Sequence, residues 1–132
     1  MKGDLLPDLI VSARNGSWNW IEANLEKALA EKAHFDWALD AGLADTSERI
    51  RELAALLIEK TLYPIGEGYQ VLVRREMVTD NSPRVRYRLA VGLWKRDNRE
   101  VSVRITLLEA RNNLEFGEIA ETARKLLAGG AG

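Results

Sequence analysis

Cysteine is absent from this chain of 132 residues, so it can build no disulfide, thiolate nucleophile or cysteine-based zinc site. A cysteine-free chain fits a reducing compartment, and the cytoplasm is the expected location. Histidine occurs once, as His34, before Phe35-Asp36 at an expected helix start. A single imidazole without a sequence-near ligand set reads as a surface or capping residue, not a metal ligand. Long apolar runs are also missing. In the opening MKGDLLPDLIVSAR, Asp4, Pro7 and Asp8 interrupt the apolar residues, which argues against both a signal peptide and a spanning helix. No membrane partner is expected. Serine-hydrolase elbows, phosphate-binding glycine loops and His-Glu-x-x-His do not occur, and Gly66-Glu67-Gly68 lacks a third glycine and a preceding strand. Glu22 with Glu26 and Glu48 with Glu52 sit four apart, but each pair has Lys or Arg nearby and reads as a solvated helix face. No catalytic residue, metal or cofactor is therefore expected.

Apolar residues at 46% and charged residues at 30% place the chain among globular proteins, since it has enough apolar surface to offset chain entropy. Its length suits one domain, 1–132, with no need for a staple. The net charge of −1 is unevenly spread. Residues 1–69 hold 7 Lys and Arg against 12 Asp and Glu, residues 70–111 hold 10 against 5, and the remainder 2 against 3. An acidic half beside a basic one is a statement about partners, not about fold.

Asn15-Gly16-Ser17 breaks the chain, and Ser17 is expected to cap a helix in which Ile21, Leu25, Ala28 and Leu29 follow Trp18 at helical spacing. In Trp18-Asn19-Trp20 the two indoles point about 200° apart on a helix, so one of them is expected at the surface. A second helix is expected from about Ala33 to Leu43. A third, capped by Ser47, places Ile50, Leu53, Ala54, Leu57 and Ile58 on one broad apolar face, with Glu59 outside it. Pro64, Gly66 and Gly68 mark a loop.

Residues 69–109 carry two conflicting signals. Val85, Tyr87, Leu89, Val91 and Leu93 alternate with other residues, as do Val101, Val103, Ile105 and Leu107, which suits an antiparallel hairpin. With a third strand before them, the fold would be α+β, a three-stranded antiparallel meander packed on helices. Against this stands an internal repeat. Asp45-Thr46-Ser47-Glu48-Arg49-Ile50-Arg51 returns as Asp80-Asn81-Ser82-Pro83-Arg84-Val85-Arg86, offset by 35 residues, and Ala55 falls on Ala90. Pro83 after a Ser82 cap suits a first helical position, and Val85, Leu89 and Leu93 also recur at helical spacing. The repeat outweighs the alternation, and the expected fold is all-α, a short α-solenoid of stacked helix pairs with residues 83–95 helical. Two positions fit poorly: Arg88 occupies the place of Leu53, and Gly92 that of Leu57.

A helix, a short turn and then Asp-x-Ser-x-Arg-Ile/Val-Arg opening an alanine-containing helix resembles the HEAT and HEAT-like helical repeats. The resemblance covers about three quarters of the chain. It implies a helical cap at 1–32, repeats at about 33–60, 69–96 and 97–127, and a flexible tail at 128–132. It also implies that Asp45, Arg51, Asp80 and Arg86 form a ladder between units, and that partners dock on the surface lined by the second helices. The expected function is a non-catalytic protein-interaction module binding a protein or peptide.

The run Arg74, Arg75, Arg84, Arg88, Lys95, Arg99 and Arg104 admits two readings. In one, the arginines cover apolar surface with their stems and keep their heads in water. In the other, they form a patch for an acidic protein partner, with Tyr87 and Trp94 as aromatic anchors. Nucleic acid or another polyanion bound through 74–104 is the second functional expectation. Weak head-to-tail self-association at low salt follows from the same charge asymmetry. Arg84→Glu with Arg88→Glu is expected to abolish partner contact and spare the fold, and Glu59→Ala to be nearly neutral.

Overall fold

A computed structural model describes residues 4–129 of the chain. The helices are α1 (Leu6–Arg14), α2 (Trp18–Ala23), α3 (Leu25–Leu29), α4 (Lys32–Asp40), α5 (Glu48–Lys60), α6 (Glu67–Thr79), α7 (Pro83–Lys95), α8 (Val101–Arg111) and α9 (Glu118–Gly129), with 3-10 turns at Gly42–Ala44 and Leu114–Phe116. Of the described residues 77% are helical, and no strand forms among them. The fold is all-α, and the meander considered for 69–109 does not exist. The expected flexible tail is shorter than 128–132, because α9 runs through Ala128 to Gly129; its residues 130–132 lie outside those described.

The alternation that suggested strands has a helical cause. Along α7, Val85, Leu89 and Leu93 are buried, but so are Tyr87, Ala90, Val91, Gly92 and Trp94. A helix covered on most of its circumference shows apolar residues at every other position as readily as a half-buried strand does. Pro83 sits at the start of α7, where a missing N–H costs nothing, and the Val85 amide donates to the Ser82 hydroxyl at 3.4 Å.

The 35-residue offset recurs as geometry. The amides of Ser47 and Ser82 donate at 2.8 Å to the carboxylates of Asp45 and Asp80. The Ile50 amide meets the Ser47 hydroxyl at 3.4 Å, as Val85 meets Ser82. Arg51 Nη1 donates to the Asp45 carbonyl at 3.1 Å, and Arg86 Nη1 to the Asp80 carbonyl at 3.0 Å. Second helices begin at Glu48, Pro83 and Glu118, 35 residues apart each time. Helix α4 packs on α5, α6 on α7 and α8 on α9; α5 then packs on α7, and α7 on α9. Helices α1 and α3 cover α5 from its other side, and the Arg49 guanidinium ties the end of α1 by donating to the Arg14 carbonyl at 2.8 Å.

Before α4 the chain departs from the single long helix expected after Ser17. It breaks at Asn24, whose side-chain amide donates to the Trp20 carbonyl at 2.9 Å and competes with the helical ladder. Ser17 precedes α2 without a capping bond from its side chain. Trp18 and Trp20 are both half-buried against the core, so neither indole is fully exposed.

Helix α5 lies at the centre: Glu52 through Glu59 are buried without interruption. Its last carbonyls have no intrahelical amide donors, and the Thr61 hydroxyl, Lys95 of α7 and Arg96 just after it supply donors instead. Arg96 donates to the carbonyls of Ile58 at 3.0 Å, Thr61 at 3.0 Å and Tyr63 at 2.7 Å, and to Gly92 of its own helix at 2.8 Å. Lys95 donates to the Glu59 carbonyl at 2.7 Å. Two cations at a helix C-terminus also suit its dipole. This requires close approach, and Gly92 permits it: a Cβ there would lie 3.1 Å from Ile58 Cγ2 and 3.3 Å from the Ile58 carbonyl oxygen. Burial lowers the Arg96 guanidinium to about 10 and also lowers Lys95.

Between the pairs runs a ladder. Arg51 Nε and Nη2 donate to the two oxygens of Asp80 at 2.7 and 3.3 Å, and Arg86 Nη2 reaches Glu109 at 3.1 Å. Glu76 stands 3.9 Å from Arg51. Burial first, and then the adjacent Asp80 carboxylate, raises Glu76 to about 7. Burial opposes ionisation of Asp80, but Arg51, Glu76 and the Ser82 amide together hold it below the usual carboxylate range.

Two predictions follow from α5 and the ladder. Arg96→Ala lowers stability by about 2–4 kcal/mol, and Arg96→Lys recovers less than half of it, since one ammonium cannot span carbonyls that a planar fork joins. A chemical denaturation series measures both, and full recovery by lysine would count against the fork. Glu76, with a raised folded pKa, stabilises the fold most below about pH 4.5, and that contribution disappears as pH rises through about 7. The melting midpoint of Glu76→Gln is therefore flatter between these pH values than that of the parent; parallel curves would remove Glu76 from the account.

Candidate functional site

The basic run divides: Arg88 and Lys95 turn inward, while Arg75, Arg84, Arg99 and Arg104 are exposed. Arg74 forms a two-pronged pair with Glu100 at 2.7 and 2.9 Å. Arg88 is only 14% exposed and donates to Glu59 at 2.6 Å, with Glu52 3.7 Å away. Lys95 is spent on the end of α5. Arg99 donates to the Trp94 carbonyl at 2.6 Å and lies 3.9 Å above the Trp94 ring, with Arg104 at 5.5 Å from the same ring. Arg84 is exposed and rests 5.1 Å from the Phe116 ring. Arg75 is exposed on α6, where it lines a shallow surface depression together with Arg74. With Arg88 and Lys95 held on internal acceptors, the seven cations do not all face solvent.

The two aromatic candidates need correction. Tyr87 is 1% exposed, its hydroxyl donating to Glu109 at 2.8 Å and accepting from Asn113 at 3.0 Å. Trp94 is 4% exposed. Both are core residues, placed there because α7 is covered on most sides, and neither presents a contact surface. His34 is likewise buried and not a surface residue. Its Nδ1 lies 2.8 Å from the Ala28 carbonyl, which only accepts, so Nδ1 carries a proton, and Nε2 faces Asp4 at 3.4 Å.

A different place draws functional side chains together. A cleft of about 710 Å³ opens over α5 and α7. Glu52, Leu56 and Lys60 of α5 and Arg84 and Arg88 of α7 line it, on the face where the second helices lie side by side. One wall is Trp18, Glu22 and Leu25, from α2 and α3. The other is the Leu114–Phe116 turn and the start of α9, contributing Glu115, Phe116, Glu118 and Ile119. Phe116 is fixed edge-on against buried Tyr87, with ring centroids 5.3 Å apart.

The charges of the cleft are ordered from below. Glu59, 1% exposed, holds Arg88 and stands 3.8 Å from Lys60, whose ammonium also reaches Glu118 at 2.9 Å. Lys60 holds the Glu118 carboxyl below its ordinary range. Glu52 is different: it is 8% exposed and makes no hydrogen bond of 3.5 Å or less. Burial raises its carboxyl above the ordinary range, against the pull of Arg88 and Arg84. A buried carboxylate with a perturbed pKa at the floor of a cleft is the arrangement that marks functional sites.

No protein-family model, curated protein or solved structure matches this chain. Sequence reasoning singled out Arg84 and Arg88, noted Trp18 only as one of two tryptophans of which one was expected at the surface, set Glu22 and Glu52 aside as solvated faces although Glu52 is buried, and missed Glu115, Phe116 and Glu118. The one available signal was Arg88 in the position of Leu53: a charge where the repeat wants a core residue needs a buried counter-charge nearby.

This geometry reverses two expectations. Glu59→Ala is not neutral: it strands the Arg88 charge and costs about 3 kcal/mol. Arg88→Glu would set a third carboxylate against Glu52 and Glu59, so the double Arg84→Glu, Arg88→Glu change does not spare the fold. Glu59→Ala combined with Arg88→Leu, which restores the residue type of the first repeat, is more stable than Glu59→Ala alone. Thermal unfolding of the three proteins checks the order, and a double variant no better than Glu59→Ala would show that Arg88 is not the cause.

Proposed function

We propose that this chain is a non-catalytic protein-interaction module, a short α-solenoid of three HEAT-like helix pairs that holds a peptide segment of its partner in the cleft on the second helices. The observation that carries this reading is the cleft itself. Its floor is two adjacent second helices, its walls bring Trp18 and Phe116 to opposite sides, and two of its three cations, Lys60 and Arg88, are fixed by internal ion pairs before any partner arrives. Preset side chains lose little freedom on binding, which favours a recognition surface. Aromatic walls supply the apolar anchoring that peptide contacts depend on.

This reading moves the partner from the 74–104 region to the cleft. A polyanion needs several free cations in a row, and Arg74, Arg88, Lys95 and Arg99 already have acceptors within the protein.

Selection of a random-peptide display library on the immobilised chain tests the proposal. Selected peptides are expected to photo-cross-link to a benzophenone side chain placed at Glu22 or Glu115, on the two walls, and not to one at Val78 on the outer side of α6. No enrichment, or equal capture at Val78, overturns it.

A further inference from the structure

We infer that the segment held in the cleft is basic, with a lysine or arginine side chain whose charged head lies on Glu52. The inference rests on the peptide-binding reading above and adds the partner's chemistry to it.

Glu52 is a desolvated carboxylate with acceptor capacity that the protein leaves unused. Its nearest cation, Arg88 Nη2, stands at 3.7 Å, beyond hydrogen-bond distance, because the same guanidinium is drawn to Glu59 at 2.6 Å. Lys60 cannot serve either, being held between Glu118 and Glu59. An ionised carboxylate has about four acceptor positions, and those of Glu52, whose side chain keeps 11% exposure at the cleft floor, are open to a donor that enters the cleft.

The rest of the cleft points to a donor that is positively charged. Glu22, Glu115 and Glu118 line the walls, and with Glu52 and Glu59 they outnumber Lys60, Arg84 and Arg88. An acidic segment would meet like charge on both sides and at the floor. Arg84 shows what the wall accepts, since its guanidinium already rests on the face of Phe116 at 5.1 Å. Trp18 and Leu25 offer apolar surface on the opposite side, suited to the methylene stem of a long basic side chain. A metal ion is a poor alternative, because no group of three or more His, Cys, Asp or Glu side chains is placed to hold one among the described residues.

The test uses the peptides selected on the parent chain and reads affinity by calorimetry. Lysine or arginine should recur at one position among them. Replacing that residue by norleucine, which keeps the stem and removes the charge, or making Glu52→Gln in the protein, should each weaken binding by about tenfold or more. The two changes together should weaken it little further, because they remove the same contact. Glu52→Gln should melt no lower than the parent when unbound, since it relieves a desolvated charge; a fall in its midpoint would make Glu52 a structural residue and overturn the inference. Peptides that cross-link at Glu22 and Glu115 but carry no basic residue, or bind Glu52→Gln as well as the parent, also overturn it while leaving the peptide-binding reading in place. If no peptide is selected, both fail.

Discussion

Burying helix α5 all round is the constraint on which the rest of this structure depends. A helix covered on one side leaves its C-terminal carbonyls to water, but α5 packs against α1, α3, α4 and α7 and is buried as far as Glu59. Three consecutive needs arise there: the Glu59 carboxylate, the Glu59 and Ile58 carbonyls, and the carbonyls of the chain leaving the helix. Helix α7 and the residue following it answer them in order with Arg88, Lys95 and Arg96. The hydrophobic contact between the two helices and the polar junction at their ends therefore stand or fall together.

The departures from the repeat have their cause in this junction. Gly92 stands where the first unit has Leu57, and a leucine could not fit there, since even a Cβ would crowd Ile58. Arg88 stands where the first unit has Leu53, and its partner Glu59 is in the neighbouring helix. Each irregular residue compensates for another in the next unit. Such pairs carry no mark in a single sequence, because the partners are 29 residues apart and belong to different helices.

Counting charge along the chain proved a poor guide to where charge is free. Residues 70–111 are rich in arginine, yet Arg74 meets Glu100, Arg86 meets Glu109, Arg88 meets Glu59, Arg96 and Arg99 meet backbone carbonyls, and Arg104 lies over the ring of Trp94. Of the acidic excess of residues 1–69, Glu59 and Glu52 face Arg88, so part of the asymmetry that suggested contact between molecules is met within one. The region left with unmet electrostatic demand is the cleft, where three separate stretches of sequence converge.

Local sequence determined the helices. Ser47 and Ser82 caps, Pro83 at a first helical position and apolar residues at helical spacing act over a few residues, and the 35-residue repeat of Asp-x-Ser-x-Arg extended the assignment of α5 to α7 despite the competing alternation. The resemblance to helical repeats pointed to a ladder of Asp45, Arg51, Asp80 and Arg86; Arg51 does cross to Asp80, but Asp45 bonds within its own unit and Arg86 crosses to Glu109 instead. Tertiary structure decided the rest: that Tyr87 and Trp94 are interior, that Glu59 is buried and not solvated, and that Glu52 reaches a cleft floor without a hydrogen bond. These outcomes depend on which helix covers which face. A helix with apolar residues on every side does not declare its outer surface until its neighbours have packed, and a charged side chain is free or bound only once the opposing helix has been placed.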